Sequence, residues 1–284
     1  MHRLKLAEQV LRDKGHTVQS LPTTGPRTAG GIAHRCLTDG TDLVIAAGGD
    51  GTINEVVEGL AGSELPLGIL PAGTANVLAN EMAIPRKLHA AAGNLDTWEP
   101  RRISLGHFDD AAGRPHHFLL MAGAGLDAKI VYDVHLPLKQ RVGKLSYWLA
   151  GFRQFGHDLE EFDVTIDGTA RRCSFALITK VRNYGGDFEI ARNVTLLDDE
   201  FEVVLFEGRR SMLYVKYLFG ITTKSLKGMS GVSIHRAAEI SLSPSNGNRV
   251  HLQADGEHVG RLPANIRIAP DALTLLMPPA YPRK

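Results

Sequence analysis

The sequence predicts an α/β domain built on a parallel sheet, followed by a mainly antiparallel β-sandwich domain. Two apolar runs, residues 43–47 and 65–70, each lead into a glycine-containing polar loop and then into apolar residues at helical spacing. Strands that are covered on both faces of a parallel sheet have this composition. After about residue 98 short alternating runs dominate, which is typical of antiparallel strands. Strands are predicted at residues 118–122, 162–166, 175–179, 201–206, 239–242 and 250–254. We therefore expect domains at 1–98 and 99–284.

Bulk properties restrict the class of protein. A chain of 284 residues is long enough for two domains with ample core, and its net charge of +1 gives no electrostatic footprint for nucleic acid. No apolar run approaches the length of a membrane-spanning helix, and no apolar segment follows the charged start. The two cysteines, Cys36 and Cys173, have no metal-type spacing and indicate reduced thiols. A soluble, cytoplasmic protein without a nucleic-acid partner is expected.

The loop after the first apolar run, residues 48–54, has the sequence GGDGTIN. Gly48, Gly49 and Gly51 let the backbone take positive φ and approach a ligand, while N–H groups converge on an anion such as phosphate. Asp50 would repel a bare phosphate, and Mg²⁺ would relieve that repulsion. The loop lacks the P-loop lysine and the dinucleotide-binding glycine spacing. A tight turn without a ligand is the alternative.

A second loop of the same kind follows the second apolar run, with the sequence PAGTANVLANE over residues 71–81. Two successive strand–loop–helix units place their loops at the same carboxyl edge of a parallel sheet, where open α/β folds bind ligands. In this order the two motifs resemble the diacylglycerol kinase catalytic-domain family, which includes bacterial lipid kinases and is related to sphingosine and ceramide kinases. The GGDG part alone is shared with NAD kinases and phosphofructokinases.

The resemblance covers nearly the whole chain and implies both a fold and an activity. It implies a nucleotide-binding first domain, similar to that of NAD kinases and phosphofructokinases, and a β-rich lipid-substrate domain whose last strands return to the first domain. The implied reaction transfers the γ-phosphate of ATP, with Mg²⁺, to a hydroxyl of diacylglycerol or a similar lipid. Such a lipid is met at a membrane surface, so peripheral contact with the inner face is implied. A homodimer is left open.

The resemblance also implies the site residues. The nucleotide-binding candidates are Thr24, Gly48, Gly49, Asp50, Gly51, Thr52, Ile53, Asn54 and Thr74. Asp50 would act through Mg²⁺ or a water network, and a turn or helix-cap role is the alternative for Thr24. The Asp-Gly-Glu segment at residues 255–257 would supply the base, with Glu257 as first choice and Asp255 beside it. An ordinary turn is the alternative for that segment.

A structural Mg²⁺ is a further implication of the resemblance. Bacterial relatives hold such an ion with an aspartate and two main-chain carbonyls, at a spacing that matches Leu196, Asp199 and Phe201. Hard cations accept oxygen ligands of this kind. The alternative is a plain acidic turn before a strand.

Three departures from the family pattern bear on activity. The strand and the Asn-Pro-x-Ser-Gly-like loop that normally come first in the family are not in this sequence, so either its start is truncated or the protein lacks part of the usual nucleotide pocket. Val77 and Ser104 stand where many relatives carry aspartates, so two acids are missing from a Mg²⁺–water network. A catalytically weak nucleotide- or lipid-binding member of the family is therefore one alternative. NAD kinase is another, although the loop at 71–76 and the Asp-Gly-Glu segment argue against it.

Three further segments carry structural predictions. Residues 18–21 are expected to form a strand. Residues 138–152 show a helical apolar face with lysines and arginines around it, which predicts either core packing or contact with an anionic membrane surface. Residues 212–219 are expected to be helical, and either to line an acyl pocket or to pack in the core.

Overall fold

The computed structural model describes residues 2–109, 113–126, 128–129, 158–184, 188–223, 225–245 and 247–282. The chain divides into two units, residues 1–105 together with 270–284, and residues 106–269. The strand that begins at Glu99 continues to Asp109, so the division between the two units falls within it. The helix expected at 138–152 lies outside the described residues.

The first unit combines parallel strands with helices. Its helices are α1 (His2–Asp13), α2 (Ala29–Arg35), α3 (Asp50–Leu60), α4 (Val77–Glu81) and α5 (Leu88–Asn94), followed by a 3₁₀ turn, Leu95–Thr97. Its strands are β1 (Val44–Gly48), β2 (Leu67–Pro71), the first part of β3 (Glu99–Asp109) and the last part of β16 (Ala264–Met277). Strand β2 pairs parallel with β1 and, at Leu67 and Leu275, with β16. The predicted parallel α/β architecture is confirmed.

Apolar spacing determines how α3 packs. Ile53, Val56, Val57 and Leu60 recur at helical intervals and are all buried. On another face, Gly59 lies against α2, where an added Cβ would collide with the carbonyl oxygen of Gly30. The helix that begins at Asp50 is therefore held from two sides, which fixes the loop in front of it.

The strand predicted at residues 18–21 is wrong. These residues have no regular secondary structure and are mostly exposed, with Leu21 44% exposed, and they pair with no strand among the described residues. Arg12 from α1 donates to the carbonyl oxygen of Val18 instead. An alternating pattern predicts a strand only where a neighbouring strand and a core face are available.

The second unit is built from antiparallel strands. After β3 these are β4 (Pro115–Phe118), β5 (Met121–Gly125), β6 (Phe162–Ile166), β7 (Thr169–Cys173), β8 (Phe175–Thr179), β9 (Asn183–Tyr184), β10 (Phe188–Glu189), β11 (Phe201–Phe206), β12 (Val232–Ala237), β13 (Glu239–Pro244), β14 (His251–Ala254), β15 (Glu257–Arg261) and the start of β16. One sheet has the order β12-β11-β8-β5-β14-β15. A second contains β16-β13-β6-β7 in this unit, and β3 pairs with β4.

An apolar core lies between these two sheets. Phe118, from β4, stacks on Phe201, from β11, with ring centroids 5.7 Å apart, and both side chains are fully buried. Val203 and Ile266 belong to the same cluster. Alternate inward-facing residues of two sheets form the core of a β-sandwich. The predicted antiparallel sandwich is confirmed.

Helix α6 (Leu213–Thr222) confirms the helix expected near residues 212–219. Met212, Val215 and Phe219 are nevertheless 65%, 48% and 66% exposed. This side of the segment therefore does not pack in the core, which was one of the two alternatives. None of the helices in the described ranges has both the length and the apolar composition needed to cross a membrane.

Candidate functional site

The two glycine-containing loops of the first unit lie against each other. A Cβ on Gly49 would lie 3.1 Å from the Gly73 Cα, and a Cβ on Gly73 would collide with the Gly49 Cα. The N–H of Ala72 also donates to the Gly48 carbonyl oxygen at 2.9 Å. The structure therefore brings together the two loops that the sequence pattern places at one sheet edge. A side chain at Gly73 would force the loops apart, and one at Gly49 would crowd the Gly73 Cα.

Local hydrogen bonds shape both loops. Gly48 must lack a side chain because its Cβ would lie 2.6 Å from the Thr52 Cβ. Asn76 has a left-handed φ of 47° and bonds both the N–H and the carbonyl oxygen of Gly73, each at 2.9 Å. This closed turn leaves Thr74 exposed, as a ligand-contacting hydroxyl would be.

Asp50 is the half-buried acid of this loop pair. Its Oδ1 accepts a hydrogen bond from the N–H of Leu78, the second residue of α4, at 3.4 Å. Burial raises the pKa of Asp50, and hydrogen bonds from backbone N–H groups, those of Val77 and Leu78 foremost, oppose this rise. A carboxylate that has lost part of its hydration gains from a nearby cation. Oxygen donors in such a setting fit a Mg²⁺ ion that arrives with a nucleotide.

The remaining nucleotide-binding candidates differ in exposure. Gly51 and Thr52 lie in the first turn of α3, where N–H groups have no partner within the helix. Ile53 is 2% exposed, so its side chain serves the core. The buried Oδ1 of Asn54 has no hydrogen-bond partner within the described part of the chain.

Glu55, which was not predicted from the sequence, supports the first unit's candidate site. Its Oε1 accepts from the N–H of Arg27 at 2.8 Å and its Oε2 from the N–H of Ala29 at 2.9 Å. Arg27 has a positive φ of 61°. These two bonds attach to α3 the loop that carries the exposed Thr24. The available signal was an acid one turn beyond Gly51 on the same helix.

In the second unit, the Asp-Gly-Glu segment forms the tight turn between β14 and β15. Both carboxylate oxygens of Asp255 are occupied: Oδ2 accepts from the N–H of Leu119 at 2.8 Å, and Oδ1 accepts from those of Leu120 and Met121, each at 2.9 Å. The N–H of Asp255 donates to the Met121 carbonyl oxygen at 2.8 Å. Asp255 thus ties this turn to the segment before β5.

This contact corrects the strand predicted at residues 118–122. Strand β4 ends at Phe118 and β5 begins at Met121, with a break at Leu119 and Leu120. The break follows from the contact, because N–H groups that point at the Asp255 carboxylate cannot all join a β-ladder.

The carboxylate of Glu257, unlike that of Asp255, is not occupied by backbone N–H groups of the part of the chain that the structure describes. It is the first residue of β15, partly exposed, and its carboxylate makes no side-chain hydrogen bond within the described residues. A proton acceptor needs an oxygen that is open to the substrate. Of the two acids in this turn, Glu257 has that property.

Asp255→Ala is expected to lower the free energy of unfolding by about 3 kcal/mol more than Asp167→Ala does, since three N–H groups lose a charged acceptor. Asp167 is a matched control because it also has a left-handed φ, 50° against 47° for Asp255, and is exposed in the turn between β6 and β7. Urea denaturation of both variants measures the difference. Equal losses would show that the three bonds contribute nothing to stability.

The turn before β11 was expected to hold a structural Mg²⁺. Leu196 and Phe201 are fully buried, whereas Asp199 is exposed. The Nζ of Lys180 donates to the carbonyl oxygen of Asp198 in this turn at 2.6 Å. A divalent cation there would lie beside a buried ammonium, so the residues present fit the ion poorly. No cluster of three or more His, Cys, Asp or Glu suited to a metal exists among the described residues.

Two of the three departures from the family pattern, Val77 and Ser104, are residues of the first unit. Val77 begins α4 and is buried, and its N–H is one of the groups that act on the Asp50 carboxylate. A backbone N–H therefore interacts with the Asp50 carboxylate at the position where many relatives were expected to carry an aspartate. Ser104, on β3, is 2% exposed.

Comparison with protein-family models identifies both parts of the chain. Residues 1–108 match the diacylglycerol kinase catalytic domain. Residues 120–277 match the YegS C-terminal NAD kinase beta sandwich-like domain. The two matches follow the order in which the α/β unit and the sandwich occur.

Proteins named as diacylglycerol kinases in several bacteria are similar to this chain. A diacylglycerol kinase of Bacillus subtilis (strain 168) is 29% identical over 265 residues, which cover 90% of this chain and 84% of that protein. A diacylglycerol kinase of Mycobacterium tuberculosis (strain H37Rv) is 29% identical over 262 residues, covering 88% and 83% respectively. A crystal structure of a diacylglycerol kinase from Bacillus anthracis str. Sterne superposes with a TM-score of 0.79 at 21% identity, covering 98% of this chain and 92% of that one. At that identity the superposition establishes the shared fold.

Proposed function

The chain belongs to the diacylglycerol kinase catalytic-domain family, and from this premise we propose that it is an ATP-dependent lipid kinase. The proposed reaction transfers the γ-phosphate of ATP to a hydroxyl of diacylglycerol or a similar lipid, giving phosphatidic acid or a related lipid phosphate. The observation that carries the proposal is the contact between the two glycine loops around Asp50. The curated relatives named as diacylglycerol kinases support the choice of acceptor.

In this proposal the first unit binds the nucleotide. N–H groups at the start of α3 and the Thr74 hydroxyl hold the phosphates, because a helix N-terminus and a glycine-rich loop both favour anions. Asp50 would hold the Mg²⁺ that accompanies ATP, and the ion would neutralise part of the phosphate charge. Thr24 contributes a further nucleotide contact from the loop that Glu55 fixes.

The second unit supplies the base. Glu257 accepts the proton of the lipid hydroxyl as the oxygen attacks the γ-phosphorus and the bond from that phosphorus to the β–γ bridging oxygen breaks, leaving ADP. Asp255 does not take part in proton transfer, because its oxygens are committed to three N–H groups. Its role is to position the turn that carries Glu257.

The acceptor is tested with a panel of hydroxyl compounds. Labelled ATP and Mg²⁺ are offered with diacylglycerol, phosphatidylglycerol, a sphingoid base, NAD or no acceptor, beside the exposed-residue control Glu239→Gln. We expect label in a lipid product, in equal amounts for wild type and control. Label in NADP would replace the proposal with NAD kinase. Binding of ATP without any labelled product would favour a non-catalytic member of the family.

Glu55→Ala should raise the KM for ATP about ten-fold, because the loop bearing Thr24 loses two hydrogen bonds to a charged acceptor. We expect kcat to change much less, since Glu55 is placed in neither phosphate binding nor proton transfer. Steady-state kinetics at varied ATP measure both constants, and the exposed Glu64→Ala serves as the control. An unchanged KM would mean that this loop does not contact the nucleotide.

A further inference from the structure

A fully buried lysine lies beside the acidic turn that precedes β11. Lys180 directly follows β8, and its side chain is 0% exposed. Its backbone N–H donates to the Leu120 carbonyl oxygen at 2.9 Å, which fixes where the side chain starts. Its Nζ donates to the carbonyl oxygen of Asp198 at 2.6 Å. Lysine is almost never fully buried unless it is paired, so the turn must compensate the charge.

Two carboxylates of this turn, those of Asp198 and Asp199, compensate the charge of Lys180. Asp199 exerts the larger attraction on the ammonium and Asp198 the next, while Arg236 repels it. Burial lowers the pKa of Lys180 to about 8, and the two carboxylates limit that fall. The Asp198 carboxylate also accepts from the Thr195 N–H and from Arg236, each at 3.0 Å.

We propose that the Lys180 ammonium is the resident cation of the turn at residues 195–200, standing in place of a divalent metal ion. Mg²⁺ would take main-chain oxygen and aspartate there, and the ammonium already uses groups of the same kind. Its Nζ donates to the Asp198 carbonyl oxygen, and Asp199 is the carboxylate that attracts it most. A Mg²⁺ ion would add two positive charges beside a buried ammonium, which is unfavourable at low dielectric. The turn is therefore held without a metal.

This inference concerns the second unit alone and does not depend on the proposed reaction. It is tested by thermal unfolding without nucleotide, in millimolar MgCl₂ and in NaCl of equal ionic strength. Wild type should unfold at the same temperature in both salts. Lys180→Ala should unfold about 5 °C or more below wild type in NaCl, whereas the exposed Lys227→Ala should not. MgCl₂ should restore at least half of the loss in Lys180→Ala, and none of it in Lys180→Ala combined with Asp199→Asn.

Three results would overturn the inference. One is a stabilisation of wild type by MgCl₂ that disappears in Asp199→Asn. The second is a Lys180→Ala variant as stable as Lys227→Ala, and the third is no recovery of Lys180→Ala in MgCl₂. If Lys180→Ala does not fold, Mn²⁺ binding to folded wild type and Asp199→Asn, measured by electron paramagnetic resonance, decides. Equal Mn²⁺ binding supports the inference, and weaker binding in Asp199→Asn refutes it.

Discussion

Asp50→Asn is expected to lower kcat about a hundred-fold to a thousand-fold while the protein stays at least as stable as wild type. In the proposed reaction Asp50 provides the negative charge that holds the nucleotide's cation, and asparagine keeps the volume without that charge. In folding, by contrast, the half-buried carboxylate of Asp50 lowers stability, because burial disfavours its charged form. A residue that destabilises its fold in this way is typical of a functional site.

The pH dependence of this effect follows from the raised pKa. The folded state binds a proton at Asp50 more tightly than the unfolded chain does, so ionisation of this group reduces stability as the pH rises from the unfolded pKa through the folded one. Asp50→Asn should therefore gain stability relative to wild type at neutral pH, and that gain should vanish at a pH below both pKa values.

Steady-state kinetics and thermal unfolding at two pH values measure both parts of this prediction. Asp42→Asn, an exposed aspartate before β1, is the matched control and should resemble wild type in activity. A near-normal kcat in Asp50→Asn would remove Asp50 from the proposed site. A clear loss of stability at neutral pH would instead make it a structural helix-capping residue.

Glu257→Gln is the second large effect: we expect kcat to fall about a hundred-fold to ten-thousand-fold with the affinity for ATP unchanged. Glutamine has nearly the same shape but cannot accept the proton of the lipid hydroxyl. Its turn should remain folded because Asp255, rather than Glu257, holds the turn to the segment before β5. Circular dichroism and urea denaturation check that expectation.

Three measurements separate the possible roles of Glu257. Single-turnover phosphate transfer reports the chemical step, ATP titration reports binding, and the control Glu239→Gln reports the effect of removing an exposed carboxylate. Loss of transfer with intact ATP binding supports a base. A parallel loss of ATP binding would place Glu257 in nucleotide recognition, and full activity would exclude it from the chemistry.

The sequence pattern predicts much of this fold, because burial of one face makes apolar residues recur with the period of a strand or a helix. The runs at residues 162–166, 175–179 and 201–206 became strands β6, β8 and β11 with the expected bounds. The segment at 18–21 has similar local composition but no partner strand, and it stayed outside the sheets. Local pattern reports the preference of a segment, whereas pairing depends on distant residues.

The candidate site was predictable to the extent that its geometry is local. Glycine spacing identified the loops at Gly49 and Gly73, since their close approach leaves little room for a Cβ. The positive φ that was also expected at Gly48, Gly49 and Gly51 is absent at all three. Sequence could not separate Asp255 from Glu257, because the difference lies in N–H groups some 135 positions away along the chain. Likewise, nothing in the local sequence indicated that Lys180 would reach the turn at Asp198.

The most direct test of the central claim is transfer of labelled phosphate from ATP to diacylglycerol in mixed micelles with Mg²⁺. Triacylglycerol, which has no free hydroxyl, is the matched acceptor control. The proposed mechanism predicts labelled phosphatidic acid from diacylglycerol with wild type, none from triacylglycerol, and loss of the product in both Asp50→Asn and Glu257→Gln. Labelled phosphatidic acid at wild-type rates from either variant would contradict the assigned mechanism, and its absence with wild type would contradict the claim that diacylglycerol is an acceptor.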